Sequence, residues 1–197
     1  MRRPGRWLCA AVPATAAFLS LYFAAAAAWV PLKAELAQWL LERSWRESLT
    51  GAVPRPPWPW ADTQVAAELV APAQDVRLLV LQGNSGRNLA FGPVLVDGAA
   101  GGRDIVINGH RDTHFHFLQG LRIGDRLRLK DQEGSRWYTV ANLEIVDSRE
   151  REIVVDGTVD RLSLVTCYPF DSPVTGGPLR YVVTAYPPAP GVSRVPG

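Results

Sequence analysis

The hydrophobic and polar positions divide the chain into an apolar start, a short amphipathic segment and a long region of short alternating runs. Residues 7–32 contain no charged side chain, and a helix of that length reaches across a hydrocarbon core of about 30 Å. Residues 33–49 place leucine and tryptophan at helical spacing among charged side chains, which predicts a stalk helix. Four prolines within positions 54–59 then exclude continuous helix and predict an extended linker.

Beyond residue 61, short β-type runs are separated by glycine, proline, aspartate and asparagine, with a helical turn only around residues 114–120. The predicted strands are 65–70, 76–81, 93–96, 104–108, 126–129, 137–144, 162–167 and 180–186. About eight closely spaced strands predict a mainly β fold that closes, or nearly closes, into a barrel.

The charges around the apolar segment predict its orientation. Arg2, Arg3 and Arg6 precede it, so the positive-inside rule places everything after Lys33 on the far side of the membrane. A cleavable signal peptide is the alternative, because alanines 24–28 offer small-residue cleavage sites. The apolar run is about twice as long as the apolar region of a usual signal peptide, which favours an uncleaved anchor. Both interpretations export the rest of the chain.

The predicted organisation follows from these segments. It comprises a stub (1–6), a transmembrane anchor (7–32), a stalk helix with a proline-rich linker (33–60), a barrel domain (61–188) and a flexible tail (189–197).

Charge and cysteine content exclude several classes of function. With 21 Lys and Arg against 19 Asp and Glu, the formal charge of +2 gives no basic excess that would indicate a nucleic-acid partner. The two cysteines, Cys9 and Cys167, are too far apart in sequence for a CxxC redox pair or a cysteine zinc knuckle. Cys167 is therefore the single thiol of the exported domain.

Three residues in the barrel region predict acyl-transfer chemistry. His110 directly follows the predicted strand 104–108, where a loop can present its side chain to a substrate. Cys167 ends one predicted strand and Arg180 begins the next, so antiparallel pairing would bring the two together. An imidazole can activate the thiol, and the guanidinium can donate hydrogen bonds to an oxyanion.

Other interpretations of the same residues stay open. Taken alone, Cys167 could be a small buried side chain and Arg180 a member of a surface ion pair. His110, His114 and His116, with Asp112, could instead form the zinc site of a hydrolase, although that leaves Cys167 and Arg180 without a role. A catalytically inactive, membrane-tethered barrel that binds peptides is a third hypothesis.

Three ordered motifs, NGHRDTHFHFLQGLRIGDRL, LSLVTCYPF and GGPLRYVVTAY, resemble the sortases, and most closely the class GN sortases of the marine proteobacterial type. The family's Thr-Leu-X-Thr-Cys signature starts here with Ser163 instead of Thr. The resemblance covers roughly residues 60–187. It implies an eight-stranded sortase barrel with His110, Cys167 and Arg180 as catalytic residues and Thr166 as a weaker candidate for substrate binding. It implies no metal or cofactor.

The activity that this resemblance implies is transpeptidation. Cys167 would attack the threonine carbonyl of an LPXTG-like C-terminal sorting signal on a substrate protein, and His110 would protonate the leaving amine. A second amine, whose identity the sequence leaves open, would resolve the thioester. Together with the anchor, this predicts a single-pass inner-membrane protein with a cytoplasmic N-terminus, a periplasmic catalytic domain and no nucleic-acid partner.

Overall fold

A computed structural model describes residues 5–51, 55–83, 85–96, 103–151, 159–172 and 176–188. The chain divides into two compact units, Met1–Trp39 and Leu40–Gly197. Most of the predicted stub and the whole predicted tail, 189–197, lie outside the described residues.

The first unit consists of helix α1, which spans Gly5–Ser48 and continues into the second unit from Leu40. The predicted anchor and stalk are thus one continuous helix. It is long and apolar enough to cross a membrane, and a signal sequence would meet the same two criteria. Its large apolar side chains in the first unit are solvent-exposed, as a lipid-facing surface would be, namely Phe18, Leu19, Leu21, Tyr22, Phe23, Trp29, Leu32, Leu36 and Trp39.

The second unit contains a closed eight-stranded barrel, which confirms the predicted fold class. The strands are β1 (Val65–Ala71), β2 (Val76–Gln82), β3 (Val94–Leu95), β4 (Asp104–Asn108), β5 (Arg126–Lys130), β6 (Ser135–Asp147), β7 (Arg161–Cys167) and β8 (Leu179–Tyr186). Short 3₁₀ helices lie at Pro72–Gln74, Asn88–Ala90 and His116–Gly120. Around the barrel the order is β1-β2-β3-β4-β7-β8-β6-β5, with β5 closing onto β1.

Two of the strand pairs are parallel, and one of them determines where the site forms. β2 pairs with β3, and β4 pairs with β7 in the register Asp104↔Arg161 to Asn108↔Val165. Because parallel strands end at the same edge of a sheet, the segments that follow β4 and β7 leave the barrel side by side. β8 then pairs antiparallel with β7 on its other side.

Alternation along the strands fills the barrel interior with one apolar cluster. Inward-facing positions on all eight strands contribute mainly leucine, isoleucine, valine and alanine, which is the period-2 pattern of a strand with one buried face. The largest side chains of the interior are buried completely, and they are Leu69, Ile107, Phe115, Leu118, Leu127, Leu129, Tyr138, Leu162 and Leu164.

The end of α1 and the linker pack onto the outside of the barrel within the second unit. Leu41 and Trp45 are fully buried in a cluster with residues of β1, β2 and β3. Trp58 of the linker contacts the ring of Phe91 edge-on, with the ring centres 5.2 Å apart. The compact unit therefore begins at Leu40, earlier than the domain boundary at residue 61 that the proline-rich stretch predicts, because these apolar side chains have partners on the barrel.

Candidate active site

The segment that follows β4 is hydrogen-bonded to β7. The amide of Gly109 donates to the carbonyl of Val165 at 3.1 Å, which extends the parallel ladder by one bond beyond Asn108. The hydroxyl of Thr166 donates to the carbonyl of Gly109 at 2.7 Å. The next residue, His110, accepts a backbone hydrogen bond from Phe115 at 2.9 Å, and its side chain is exposed. His110 thus stands on a backbone that is held from both sides.

Glycine is required before His110 because the backbone passes very close to an aromatic ring. A Cβ atom at Gly109 would lie 2.6 Å from the ring of Phe115, which is completely buried. Cβ atoms essentially never lie that close to a non-bonded heavy atom, so any side chain at this position would displace the ring of Phe115 or the segment of His110.

Cys167 and Arg180 face each other across the β7–β8 hairpin. They are register partners, as the hairpin geometry predicts. The amide of Tyr168 donates to the carbonyl of Leu179 at 3.0 Å and closes this end of the ladder. The guanidinium of Arg180 donates to the carbonyls of Gly177 at 2.6 Å and Leu179 at 2.9 Å, so its position is fixed by backbone acceptors.

All three predicted site residues line one pocket with a volume of about 410 Å³. His110 enters it from the end of β4, Cys167 from the end of β7 and Arg180 from β8. Valines of three strands, a valine that directly follows β3, and one leucine form the apolar part of the wall; they are Val106, Val146, Val165, Val96 and Leu89. The arrangement combines a nucleophile, a proton-transfer group and a cation with an apolar surface, which is what acyl transfer on a peptide requires.

The two other histidines do not join this constellation. His114 is half-buried, and burial, followed by the positive field of His110, lowers its pKa against the opposing effect of a hydrogen bond to the backbone of Ala90. His116 is exposed and lies beside the side-chain amide of Gln119. Among the residues that the structure describes, no three His, Cys, Asp or Glu side chains are grouped to hold a metal ion, so the geometry gives the zinc-hydrolase hypothesis no support.

Thr166 borders the pocket, yet its hydroxyl is directed elsewhere. The residue is only 3% exposed, and the hydroxyl is engaged with Gly109. The predicted role in substrate binding stays a prediction, and the contact that the structure shows is a structural one to the segment that carries His110.

Sequence reasoning did not predict several residues around the site. Leu89, Ser148 and Arg151 line the pocket, but they lie in connections between strands, where no periodic pattern indicates which side chains turn inward. Arg111 is buried next to His110. The only feature of the sequence that could have indicated its importance is its position directly after His110. The burial of an arginine depends on carbonyl partners far along the chain, which a local pattern does not reveal.

Comparison with known proteins decides the family. A model of the sortase domain matches residues 69–188, which is more than half of the chain. The chain belongs to the sortase family. Sortase D of Bacillus subtilis is 40% identical over 80 residues, covering 40% of each protein. Sortase A of Listeria monocytogenes is 33% identical over 110 residues, covering 52% of this chain and 49% of the relative. This sortase thus spans about half the length of the curated relatives it matches.

Solved structures show the same barrel. Listeria monocytogenes sortase A superimposes with a TM-score of 0.56 and 25% identity, covering 64% of this chain and 88% of the other. Sortase C of Clostridium perfringens, solved with the C-terminal cell wall sorting motif, has a TM-score of 0.57 and 17% identity and covers 80% and 90% of the two chains. The region matched by the sortase model includes His110, Cys167 and Arg180.

Proposed function

We propose that this chain is a cysteine transpeptidase that cleaves an LPXTG-like C-terminal sorting signal and transfers the processed protein to an amine. The observation that carries the proposal is the pocket in which Cys167, His110 and Arg180 meet at the common end of β4 and β7. Membership of the sortase family supports the same reaction. Assignment to class GN stays a prediction from the three motifs.

The first half of the reaction forms a thioester. The Cys167 thiolate attacks the carbonyl carbon of the signal's threonine and gives a tetrahedral oxyanion, which Arg180 stabilises by donating hydrogen bonds. Collapse of this species breaks the peptide bond after the threonine. His110, as imidazolium, gives its proton to the leaving amine.

The second half reverses these roles. An incoming amine attacks the thioester carbonyl, and His110 takes the proton that the amine loses. The thiolate of Cys167 leaves, and a new amide bond replaces the one that was cut. One amide is exchanged for another, so the balance requires no oxidant, reductant or cofactor.

The wall of the pocket supports a peptide with apolar residues as the substrate. The valines beside Cys167 belong to a separate apolar cluster on the outside of the barrel, formed by Val106, Val146, Val165 and Val182. An apolar patch of this kind can bury the leucine and proline of an LPXTG-like signal, while the guanidinium of Arg180 binds the oxygen of the reacting carbonyl. The sorting motif present in the Clostridium perfringens structure supports the same class of ligand.

The proposed location is the inner membrane, with α1 as a single-pass anchor. The length of the apolar helix and its exposed Phe, Leu, Tyr and Trp side chains support this placement. The arginines at positions 2, 3 and 6 support a cytoplasmic N-terminus, which leaves the barrel on the periplasmic side.

Intact-mass spectrometry of the protein with a panel of LPXTG-like peptides tests the proposed reaction. We expect a mass increase equal to the part of the peptide up to and including the threonine, and no increase with Cys167→Ala. His110→Ala and Arg180→Ala should each leave a small residue of acyl-enzyme. A Cys167→Ala protein that still processes the peptides would contradict the mechanism.

Two further outcomes separate the proposal from its alternative. If no peptide gives an adduct while iodoacetamide still labels Cys167, the thiol is reactive and the signal sequence lies outside the panel, which a wider panel then resolves. If Cys167 reacts neither with the peptides nor with iodoacetamide, a catalytically inactive barrel that binds peptides becomes the better explanation.

A further inference from the structure

Arg111, the residue after His110, is buried although it carries a full positive charge. Only 5% of it is exposed, and it does not line the pocket. Its guanidinium donates to the carbonyl of Pro169 at 2.7 Å and to the carbonyl of Ser172 at 2.6 Å. A third donor, Nε, lies 3.1 Å from a carboxylate oxygen of Asp112.

The two carbonyls belong to the segment that directly follows Cys167. Pro169 lies two positions after the nucleophile and Ser172 five positions after it, so Arg111 binds this segment at two points. The side chain of Asp112 is 61% exposed and therefore remains largely hydrated. The partners of the guanidinium in this segment are thus backbone oxygens, which hold it in one place along the segment.

This contact is the counterpart of the one made by Thr166. Thr166 precedes Cys167 and binds the residue before His110, whereas Arg111 follows His110 and binds the segment after Cys167. The histidine and cysteine segments are therefore joined on both sides of the reacting side chains. A shift of either segment would change the separation of thiol and imidazole.

We propose that Arg111 is a positioning residue that fixes the segment 168–172 against the segment of His110 and thereby sets the geometry between Cys167 and His110. This proposal rests on the transpeptidase function proposed above. Arg111 acts through backbone atoms and does not touch the substrate. A planar guanidinium reaches two separate carbonyls with different nitrogens, which a lysine ammonium cannot reproduce in the same geometry.

The test uses the full chain in detergent, with Cys9→Ser so that Cys167 is its single thiol. Arg111→Met removes both hydrogen bonds, and Arg111→Lys keeps the charge without the fork. The matched control is Arg161→Met. Arg161 binds the buried Asp104 through two nitrogens, but it lies at the opposite end of β7 from Cys167.

We expect Arg111→Met to lower kcat for peptide cleavage by about tenfold or more, with KM changed by less than about threefold, because misplacement of reacting groups by about 1 Å costs rate rather than binding. Arg111→Lys should be intermediate. The Arg161→Met control should lower the melting temperature and leave kcat within about twofold. All rates are compared below the melting temperature of each variant and per mole of alkylatable Cys167.

The pH profile of Cys167 alkylation by iodoacetamide gives a readout that needs no peptide. We expect the profile to change in Arg111→Met and to stay unchanged in the control, because only the loss of Arg111 releases the segment that follows Cys167 from the segment of His110. Unchanged kcat and pH profile in folded Arg111→Met, or equal losses in the control, would overturn the proposal. If the wild-type protein forms no acyl-enzyme even with the wider peptide panel while iodoacetamide still labels Cys167, the proposed function fails, and the alkylation profile alone then decides the role of Arg111. If Arg111→Met does not fold, the same comparison is made with Arg111→Lys.

Discussion

The hydroxyl of Thr166 donates a hydrogen bond to the carbonyl of Gly109, and the residue is almost fully buried. Replacing it by the isosteric Val would leave that carbonyl without its side-chain donor. We expect Thr166→Val to lower the free energy of unfolding by about 1–3 kcal/mol and to reduce kcat, whereas Thr166→Ser retains the donor and should restore both. Urea unfolding and peptide-cleavage kinetics measure these two effects.

The kinetics also distinguish this structural role from the predicted role of Thr166 in substrate binding. If Thr166→Val raises KM and leaves kcat and stability unchanged, the hydroxyl binds the substrate, and its contact with Gly109 is unimportant.

His114 makes a pH-dependent contribution to the free energy of unfolding. Burial lowers the pKa of its ring below the ordinary value of 6.5, so the unfolded chain binds this proton more readily than the folded one. Its contribution to stability is therefore complete above pH 6.5 and is lost as the pH falls from there towards the lowered pKa. We expect the stability difference between wild type and His114→Gln to decrease over that interval, as measured by urea unfolding at several pH values. A difference that is constant with pH would show that the ring titrates normally.

Strands were the elements most readily predicted from sequence, because their side chains alternate between the barrel interior and the outside. The predicted 104–108 strand matches β4 at both ends, and 162–167 differs from β7 by one residue. The 137–144 prediction falls short of β6, which extends over Ser135–Asp147 and contains a register irregularity between Val140 and Asn142. Local alternation is lost at such an irregularity, so the pattern does not indicate how far the strand continues.

Helix α1 differs from its prediction in another way, because the structure has one continuous helix where the sequence predicts two elements. Charged residues from Lys33 onward change the polarity of the helix surface, and this change predicts a separate stalk helix. They do not interrupt the helical backbone, and α1 continues to Ser48. The burial of Leu41 and Trp45 depends on partners in β1, β2 and β3 that are far away in sequence. A helical pattern alone contains no information about them.

The burial of Trp45 leads to a testable prediction about the end of α1. It is 1% exposed, so Trp45→Ala should lower the free energy of unfolding of the barrel unit by about 3–5 kcal/mol through lost burial and a remaining cavity. Denaturant unfolding in detergent, followed by near-ultraviolet circular dichroism, measures the change. Trp60→Ala is the matched control, because Trp60 is 83% exposed and should contribute little. Equal effects of the two substitutions would mean that the end of α1 does not contribute to the stability of the barrel.

The candidate site could be predicted where it depends on neighbouring strands and could not where it depends on loops. The pairing of Cys167 with Arg180 follows from hairpin geometry, and the position of His110 follows from the end of a buried strand. The contacts of Arg111 and the inward turn of Leu89 depend on how the connections fold over the end of the barrel. Those paths are set by tertiary contacts and leave no periodic signal.

At the scale of the whole molecule, the proposed anchor can be tested in cells. We expect the protein to stay in the membrane fraction after alkaline extraction and to begin at or near Met1 on N-terminal sequencing. Protease added to spheroplasts should digest the barrel, because the positive-inside rule places it outside the inner membrane. Leu21→Arg, which puts a charge into the exposed apolar face of α1, should weaken membrane retention. A mature N-terminus after the alanines 24–28 would identify a cleaved signal peptide instead.

The parallel pairing of β4 with β7 determines when during synthesis Cys167 can come close to His110. The chain that grows from its N-terminus contains His110 well before Cys167, and β5 and β6 are made between them. β7 must then pair with β4 across that insertion, which is a long-range pairing and a slow kind of step, and β8 adds to β7 afterwards. A chain that is interrupted before β8 therefore lacks Arg180, the third residue of the pocket, even when His110 and Cys167 are both present. Cys167 therefore meets both His110 and Arg180 only when the barrel is complete.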